Sequence, residues 1–154
     1  MPEGRRVFAN LTVYENLVLG AYTRKDADQI KADIEWVYDL FPILRERSTQ
    51  QAGTMSGGEQ QMLAVARALA RDVKLLLLDE PYEGLAPVIV QEIASIVDNI
   101  KQYGITTIIV EQNAVAALRL ADRALILDMG NIVFDGTAQE VLDNEALRHE
   151  YLAI

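Results

Sequence analysis

Two short groups of residues near the middle of the chain could act together on a phosphate group. The first is the segment SGGE, from Ser56 to Glu59, which precedes apolar residues at helical spacing. The second is the pair Asp79 and Glu80, which follows the apolar run VKLLLL. A helix N-terminus favours an anion, because free amides and the positive end of the helix dipole lie there. In an Asp-Glu pair, one carboxylate can hold magnesium while the other polarises a water for attack on phosphorus.

Each group also has a purely structural explanation. Ser56 and Glu59 have the spacing of a capping box, in which each side chain binds a free backbone amide of the same helical turn. The two glycines between them would then only open the helix, and the two acids would only end a strand in water. Taken singly, each group favours this explanation. Their occurrence together, with Pro81 and a turn at Gly84 after the acids, favours a function.

The elements that must position these residues change along the chain from helices to strands that alternate with helices. The pattern of residues 12–72 predicts mostly helices, two of which begin at the capping boxes of Thr12 and Ser56. From residue 73, VKLLLLDE lacks period-two alternation, which is typical of a parallel strand covered on both faces. A helix over 87–102, the strand ITTIIVE and the helix NAVAALRLAD follow. This order predicts an α/β fold with a parallel sheet.

The end of the chain predicts a β-hairpin and two terminal helices. The segment RALILDMGNIVFDG is typical of two strands joined by a turn at Gly130 and Asn131. Thr137 with Glu140, and then Asn144, have the residue types and spacing that begin helices.

Composition excludes several classes of function. Fourteen Lys and Arg against 23 Asp and Glu give a net charge of −9, which disfavours a nucleic-acid partner because phosphate binding needs cations. No cysteine is present, so disulfides and thiolate metal sites are excluded. The sequence has no run of about 18 apolar residues, so a membrane role would depend on a partner.

The order and separation of the motifs resemble those of ABC-type ATPases. MSGGEQQ, then RALA, then LLLLDEP is similar to the signature motif and Walker B strand of that family. PEGRRVF resembles the end of the loop that contacts the membrane subunit in one subfamily. With DEPYEGLAP and VEQNA, it indicates the ATP-binding subunit of branched-chain amino-acid importers. The resemblance covers essentially all 154 residues.

The resemblance implies the fold of a P-loop NTPase, with an α/β parallel sheet and a helical subdomain. Residues 1–11 would end the loop that contacts the membrane subunit. Residues 12–72 would form the helical subdomain with the signature motif. Residues 73–154 would form the C-terminal part of a RecA-like ATPase core with terminal helices.

The resemblance also implies roles for single residues. Asp79 would support a magnesium ion, and Glu80 would be the general base for the hydrolytic water. The signature segment would bind the γ-phosphate of an ATP held by the opposite subunit of a head-to-tail dimer. That nucleotide-binding segment comprises Ser56, Gly57, Gly58 and Glu59.

Three positions depart from the general pattern of the family. Glu3 stands where most members carry a glutamine that links magnesium and the lytic water to the membrane partner. Gln112 stands where a switch histidine usually touches the γ-phosphate, and a glutamine donates a neutral hydrogen bond but does not take up a proton. Ala86 stands where an aspartate is usual.

The chain contains no GxxxxGK[ST] segment, the phosphate-binding loop that family members carry upstream of the signature motif. We therefore expect an N-terminally truncated copy, a split gene or a deliberate fragment, and a chain that by itself does not hydrolyse ATP. The alternative is a non-catalytic remnant or interaction module that binds transporter or full-length ATPase subunits without hydrolysis.

The resemblance implies ATP and Mg²⁺ as ligands of the complete protein. Its expected partners are a second ATP-binding subunit, transmembrane permease subunits and, indirectly, a periplasmic binding protein. Its expected place is the cytoplasmic face of the plasma membrane. The sequence leaves open which amino acid or related solute is transported, because the binding pocket lies in other subunits.

Overall fold

The computed structural model describes residues 7–152, which divide into two compact units between Ile109 and Val110. The first unit contains α1 (Val13–Gly20), α2 (Ala27–Leu40), α3 (Pro42–Glu46), a 3₁₀ turn (Ala52–Thr54), α4 (Gly57–Leu69), β1 (Leu75–Asp79), α5 (Pro87–Lys101) and all but the last residue of β2 (Thr106–Val110). The second contains α6 (Ala114–Leu120), β3 (Arg123–Asp128), β4 (Asn131–Thr137), α7 (Ala138–Asp143) and α8 (Glu145–Tyr151).

Helices α1 to α5 build the core of the first unit. Their fully buried side chains are aliphatic or aromatic and include Leu17, Phe41, Leu63, Leu69 and Ile93. Helix α1 packs closely on α4 at Gly20, where a Cβ atom would meet the backbone carbonyl of Arg67. This close approach fixes the position of α4, whose first residues belong to the candidate site.

Strand β1 pairs with β2 in a two-stranded parallel sheet, and α5 connects the two strands. Only one face of β1 is covered among the described residues. Leu76 and Leu78 are buried, whereas Leu75 and Leu77 are each 51% exposed. The expectation of a strand covered on both faces is therefore wrong for this structure. Four consecutive leucines place apolar groups on both faces, so their sequence does not show which face is packed.

The second unit is an antiparallel hairpin, β3 and β4, with three short helices. Leu118, Ile126, Ala138 and Val141 form its buried core. The predicted hairpin is confirmed, but its turn lies one residue earlier than expected. Asp128 pairs with Asn131, so Met129 and Gly130 form the loop. Their φ values of 44° and 81° are those of a type I′ turn, in which both central residues have positive φ.

The predicted terminal helices are also confirmed. Thr137 and Glu140 form a capping box at the start of α7, and Asn144 caps α8. No helix within residues 7–152 is long and apolar enough to cross a bilayer. The division into segments 1–11, 12–72 and 73–154 stays a prediction, because the two compact units follow a different criterion.

Candidate functional site

The signature segment lies at the N-terminus of α4. Ser56 is the N-cap residue, and its Oγ accepts a hydrogen bond from the Glu59 amide at 3.4 Å. In return, Glu59 Oε2 accepts one from the Ser56 amide at 2.8 Å. The capping box predicted from the sequence is confirmed, and it places Gly57 and Gly58 at the first two helical positions. The amides of a first helical turn have no partner inside the helix, so this end can receive an anion.

Glu59 holds this helix start in shape. Its second carboxylate oxygen pairs with the Arg47 guanidinium at 3.0 Å. Burial raises the pKa of Glu59, but the Ser56 amide and hydroxyl and the Arg47 charge lower it by more. The net pKa is below the ordinary glutamate value, so the carboxylate is ionised at neutral pH. Both of its oxygens already have partners in this structure.

The packing of α4 against α5 requires glycine at position 58, and the sequence did not reveal this. A Cβ atom at this position would lie 2.9 Å from Ile89 Cγ1 and 3.1 Å from Ile89 Cγ2. Carbon atoms pack best at about 3.5–4.0 Å. The first turn of α4 therefore approaches α5 so closely that only glycine fits without movement.

The acidic pair lies at the carboxyl end of β1. Asp79 is the last residue of the strand and is exposed. Glu80 is half-buried and has a φ of 45°, which is rare for a residue other than glycine. Such a backbone costs roughly 1–3 kcal/mol and persists when the surroundings hold it. The carboxyl end of a parallel strand is where α/β sheets commonly bind ligands.

A buried hydrogen bond connects the two groups of residues. Gln61, in the second turn of α4, donates from Nε2 to the carbonyl oxygen of Pro81 at 2.8 Å. Gln61 is only 5% exposed, although its side chain is polar. The sequence placed Gln61 in the segment MSGGEQQ but did not predict this contact. The available signal was a glutamine among the apolar positions of an amphipathic helix.

Asp79 fits a magnesium ion better than a metal that needs many protein ligands. Mg²⁺ in nucleotide sites commonly takes one or two carboxylates and completes its shell with water and phosphate oxygens. Among residues 7–152, no group of three or more His, Cys, Asp or Glu side chains could hold a metal ion. Asp79 thus fits the role of one of the few carboxylate ligands that a nucleotide-bound Mg²⁺ uses.

Three candidate residues remain. Gln112 is exposed in the loop before α6 and belongs to the second unit. Glu3 lies outside the described residues. Ala86 is the N-cap residue of α5 and makes no side-chain capping bond.

Asn16 orders the backbone next to the segment that the resemblance assigns to membrane-subunit contact. Its side chain is fully buried. Its Oδ1 accepts a hydrogen bond from the Phe8 amide at 2.9 Å, and its Nδ2 donates to the carbonyls of Phe8 at 3.1 Å and Thr12 at 2.9 Å. One side chain thus ties residues 8–12 to helix α1.

Comparison with known proteins identifies the family. The sequence profile described as ABC transporter matches residues 1–83 of the chain. The chain belongs to the ABC transporter family. This confirms the resemblance of the signature and Walker B motifs. The chain is 53% identical over 152 residues to the high-affinity branched-chain amino acid transport ATP-binding protein BraG of Pseudomonas aeruginosa, covering 99% of this chain and 65% of that protein.

Two further relatives show the range of this ABC family. The probable branched-chain amino acid transport ATP-binding protein LivF of Archaeoglobus fulgidus is 44% identical over 149 residues, covering 94% of the chain and 61% of that protein. The lipopolysaccharide export system ATP-binding protein LptB of Haemophilus influenzae is 33% identical over 154 residues, covering 99% and 64%. The chain thus spans 61–65% of the length of these three proteins.

Solved structures confirm the fold. The chain superposes on cbiO1 from Clostridium perfringens, part of the ABC transporter complex cbiONQ, with a TM-score of 0.80 at 24% identity, covering 94% of the chain and 58% of cbiO1. The ADP conformation of MJ1267, an ATP-binding cassette of an ABC transporter, gives a TM-score of 0.77 at 23% identity and covers 92% and 62%. The predicted α/β ABC ATPase fold is confirmed.

Proposed function

We propose that the chain is part of the ATP-binding and ATP-hydrolysing subunit of an ABC importer for branched-chain amino acids. The observation that carries this proposal is the 53% identity to a branched-chain amino acid transport ATP-binding protein over nearly the whole chain. The identity to an export ATPase is lower, at 33%. The motifs quoted above point to the same importer subfamily.

Within this function, Glu80 is the proposed general base. Its carboxylate accepts a proton from the water that attacks the γ-phosphorus of ATP, and the phosphoryl group leaves ADP. Asp79 is the proposed residue for Mg²⁺, which when bound neutralises charge on the phosphate oxygens. The placement of both acids at the end of β1 supports these roles. The unfavourable φ of 45° at Glu80 supports a functional role for this residue.

The signature segment is proposed to bind ATP held by a second copy or a similar subunit. Ser56, Gly57 and Gly58 present the start of α4 to the γ-phosphate, and Glu59 keeps that start in shape through the capping box. The positive end of the helix stabilises negative charge on the phosphate. Gln112 is proposed as a neutral hydrogen-bond donor to a γ-phosphate, and Glu3 as the link to the membrane partner.

The proposed partners follow from this division of labour. A second ATP-binding subunit completes each nucleotide site in a head-to-tail dimer. Transmembrane permease subunits bind the dimer at the cytoplasmic face, and a periplasmic binding protein delivers the amino acid to them.

The chain by itself is proposed to be inactive in hydrolysis. It has no GxxxxGK[ST] segment to cradle the β- and γ-phosphates. Phosphoryl transfer depends almost entirely on positioning and electrostatics, so one base does not replace that cradle. This absence also keeps a second function open, a non-catalytic module that binds transporter or full-length ATPase subunits. Magnesium-dependent turnover by the 154-residue chain that disappears in Glu80→Gln would overturn the proposed inactivity.

Transport by the complete protein tests the proposed function. The complete protein and its permease subunits are reconstituted in vesicles, and uptake of labelled leucine, isoleucine or valine is measured with ATP. We expect uptake that requires ATP and stops in Glu80→Gln, with no uptake of a charged amino acid such as lysine. ATP-dependent uptake of lysine but not of leucine would contradict the proposed substrate class.

A further inference from the structure

We propose that Gln61 is a positioning residue that couples the signature segment to the acidic pair within one subunit. The proposal rests on the proposed function, because it concerns the orientation of the proposed general base Glu80. Gln61 acts through the carbonyl of Pro81, the residue that follows the base.

The hydrogen bond between Gln61 and Pro81 is short and both residues are buried. Gln61 and Asn16 are the polar side chains that are buried among the described residues. A buried amide costs free energy unless it finds a partner, and Gln61 Nε2 finds Pro81 O at 2.8 Å across 20 residues of sequence. Pro81 is itself buried. Removing the donor would leave the Pro81 carbonyl without this bond in a place that water does not readily reach.

Two backbone hydrogen bonds in the turn after β1 are long. Glu83 donates to the Glu80 carbonyl at 3.3 Å, and Leu85 donates to the Tyr82 carbonyl at 3.3 Å. Both bonds are longer than the usual 2.9–3.0 Å of backbone hydrogen bonds. Glu80 also holds an unfavourable positive φ. The shorter bond from Gln61 therefore contributes to holding this turn.

Helix α4 contacts the segment around the acidic pair at two points. One point is the Gln61 bond to Pro81 at the start of the turn. The other is the contact of Gly58 with Ile89, in the first turn of α5 after the same loop. Gln61 lies four residues after Gly57, so the residue that binds Pro81 and this residue of the signature segment lie on the same face of α4. A displacement of the signature segment is thus passed to the peptide next to Glu80.

This arrangement gives Gln61 a role between two nucleotides. In the proposed dimer, the signature segment contacts the ATP of the partner subunit, whereas Glu80 acts on the ATP of its own subunit. Gln61 joins these two sites inside one chain. Binding at one site would then improve the orientation of the base at the other.

The test compares variants of the complete protein by steady-state ATP hydrolysis. Gln61→Met keeps the length of the side chain and removes the donor. We expect kcat to fall by about 10- to 100-fold, because misplacement of a catalytic group by about 1 Å has effects of this size, while KM for ATP stays within about twofold. Gln139→Met is the matched control. Gln139 is an exposed glutamine on α7 that donates to Asp143 at 2.9 Å, and its replacement should leave both constants unchanged.

A second variant separates positioning from folding. Gln61→Glu has nearly the same shape, but it donates to the Pro81 carbonyl only when its carboxyl is protonated. Its kcat relative to the parent protein should therefore rise as pH falls, while circular dichroism shows that the variant stays folded throughout that pH range. A ratio that rises only in step with recovered folding would be a structural defect and would overturn the positioning role. This pH profile decides the question if Gln61→Met does not fold.

The outcomes separate this proposal from the proposed function. If Glu80→Gln retains hydrolysis, the assignment of the base is wrong. If Glu80→Gln is inactive while folded Gln61→Met keeps the parent kcat, or if the Gln61→Glu ratio does not change with pH, the coupling through Gln61 is overturned and the proposed function stands.

Discussion

Replacement of Gly58 by alanine should destabilise the protein, although alanine forms helices better than glycine does. The added Cβ atom would lie 2.9 Å from Ile89 Cγ1, which is about 0.6 Å or more inside a favourable carbon contact. Overpacking of this kind costs about 1–3 kcal/mol. The gain in helix propensity is at most about 1 kcal/mol, and less in a first turn. We expect a net loss of roughly 1–2 kcal/mol.

The structure also predicts which second change restores stability. Ile89→Ala removes the three side-chain atoms that the new methyl group would meet. Because Ile89 is half-buried, this change alone should cost roughly 1–2 kcal/mol, less than for a fully buried isoleucine. In the double variant the clash is gone, so the two effects should not add. The interaction free energy should be about 1–3 kcal/mol in favour of the double variant.

Urea unfolding followed by fluorescence measures these free energies, since Trp36 is the single tryptophan and lies in the same unit as Gly58. Gly104→Ala is the control. Gly104 has a φ of 72°, and an added Cβ atom would meet nothing within 4 Å, so alanine should cost about 1–2 kcal/mol through backbone strain alone. That cost should add to the cost of Ile89→Ala. If the effects of Gly58→Ala and Ile89→Ala also add within about 0.5 kcal/mol, the close packing of α4 on α5 is refuted.

Three further outcomes follow from single features of the structure. Ala86→Asp should stabilise α5 by about 1 kcal/mol and raise Tm, because it supplies the capping side chain that this helix lacks. An unchanged or lower Tm would contradict the predicted cap. The lowered pKa of Glu59 stabilises the folded state above the ordinary glutamate pKa, and this contribution is lost as pH falls below about 4. Glu59→Gln should therefore reduce the fall in stability between pH 5 and pH 3, and an unchanged acid slope would refute the linkage. In hydrogen exchange, the amides of Leu75–Leu78 should exchange faster than those of α4, because one face of β1 is exposed and the strand pairs only with β2 among the described residues. Uniform strong protection of these amides in a monomer would contradict this prediction.

Features set by neighbours in sequence could be predicted from the sequence. Capping boxes were expected at Thr12 and Ser56 and a helix start at Thr137, and all three positions carry a capping box. Each depends on two residues three positions apart, so no knowledge of the tertiary structure is needed. The end of β1 at Asp79 was equally visible, because an apolar run stops at a charged pair.

Features set by residues distant in sequence could not be predicted. The bond from Gln61 to Pro81 spans 20 residues, and the contact of Gly58 with Ile89 spans two helices. Both depend on how α4 and α5 pack. The exposed face of β1 was missed for the same reason, since four leucines look alike until their neighbours are known. The hairpin turn was placed one residue late, because Met129 adopts a positive φ that its residue type does not suggest.

The central claim is that the acidic pair and the signature segment do different work in ATP hydrolysis. The most direct measurement is ATP-dependent dimerisation of the complete protein, recorded for Glu80→Gln and Ser56→Arg under the same conditions. Glu80→Gln removes the base and keeps the shape and hydrogen bonding of the side chain, so it should give stable ATP-bound dimers without hydrolysis. Ser56→Arg fills the start of α4, so each monomer should bind ATP but fail to dimerise. Equal loss of dimers in both variants would contradict the assignment of these roles.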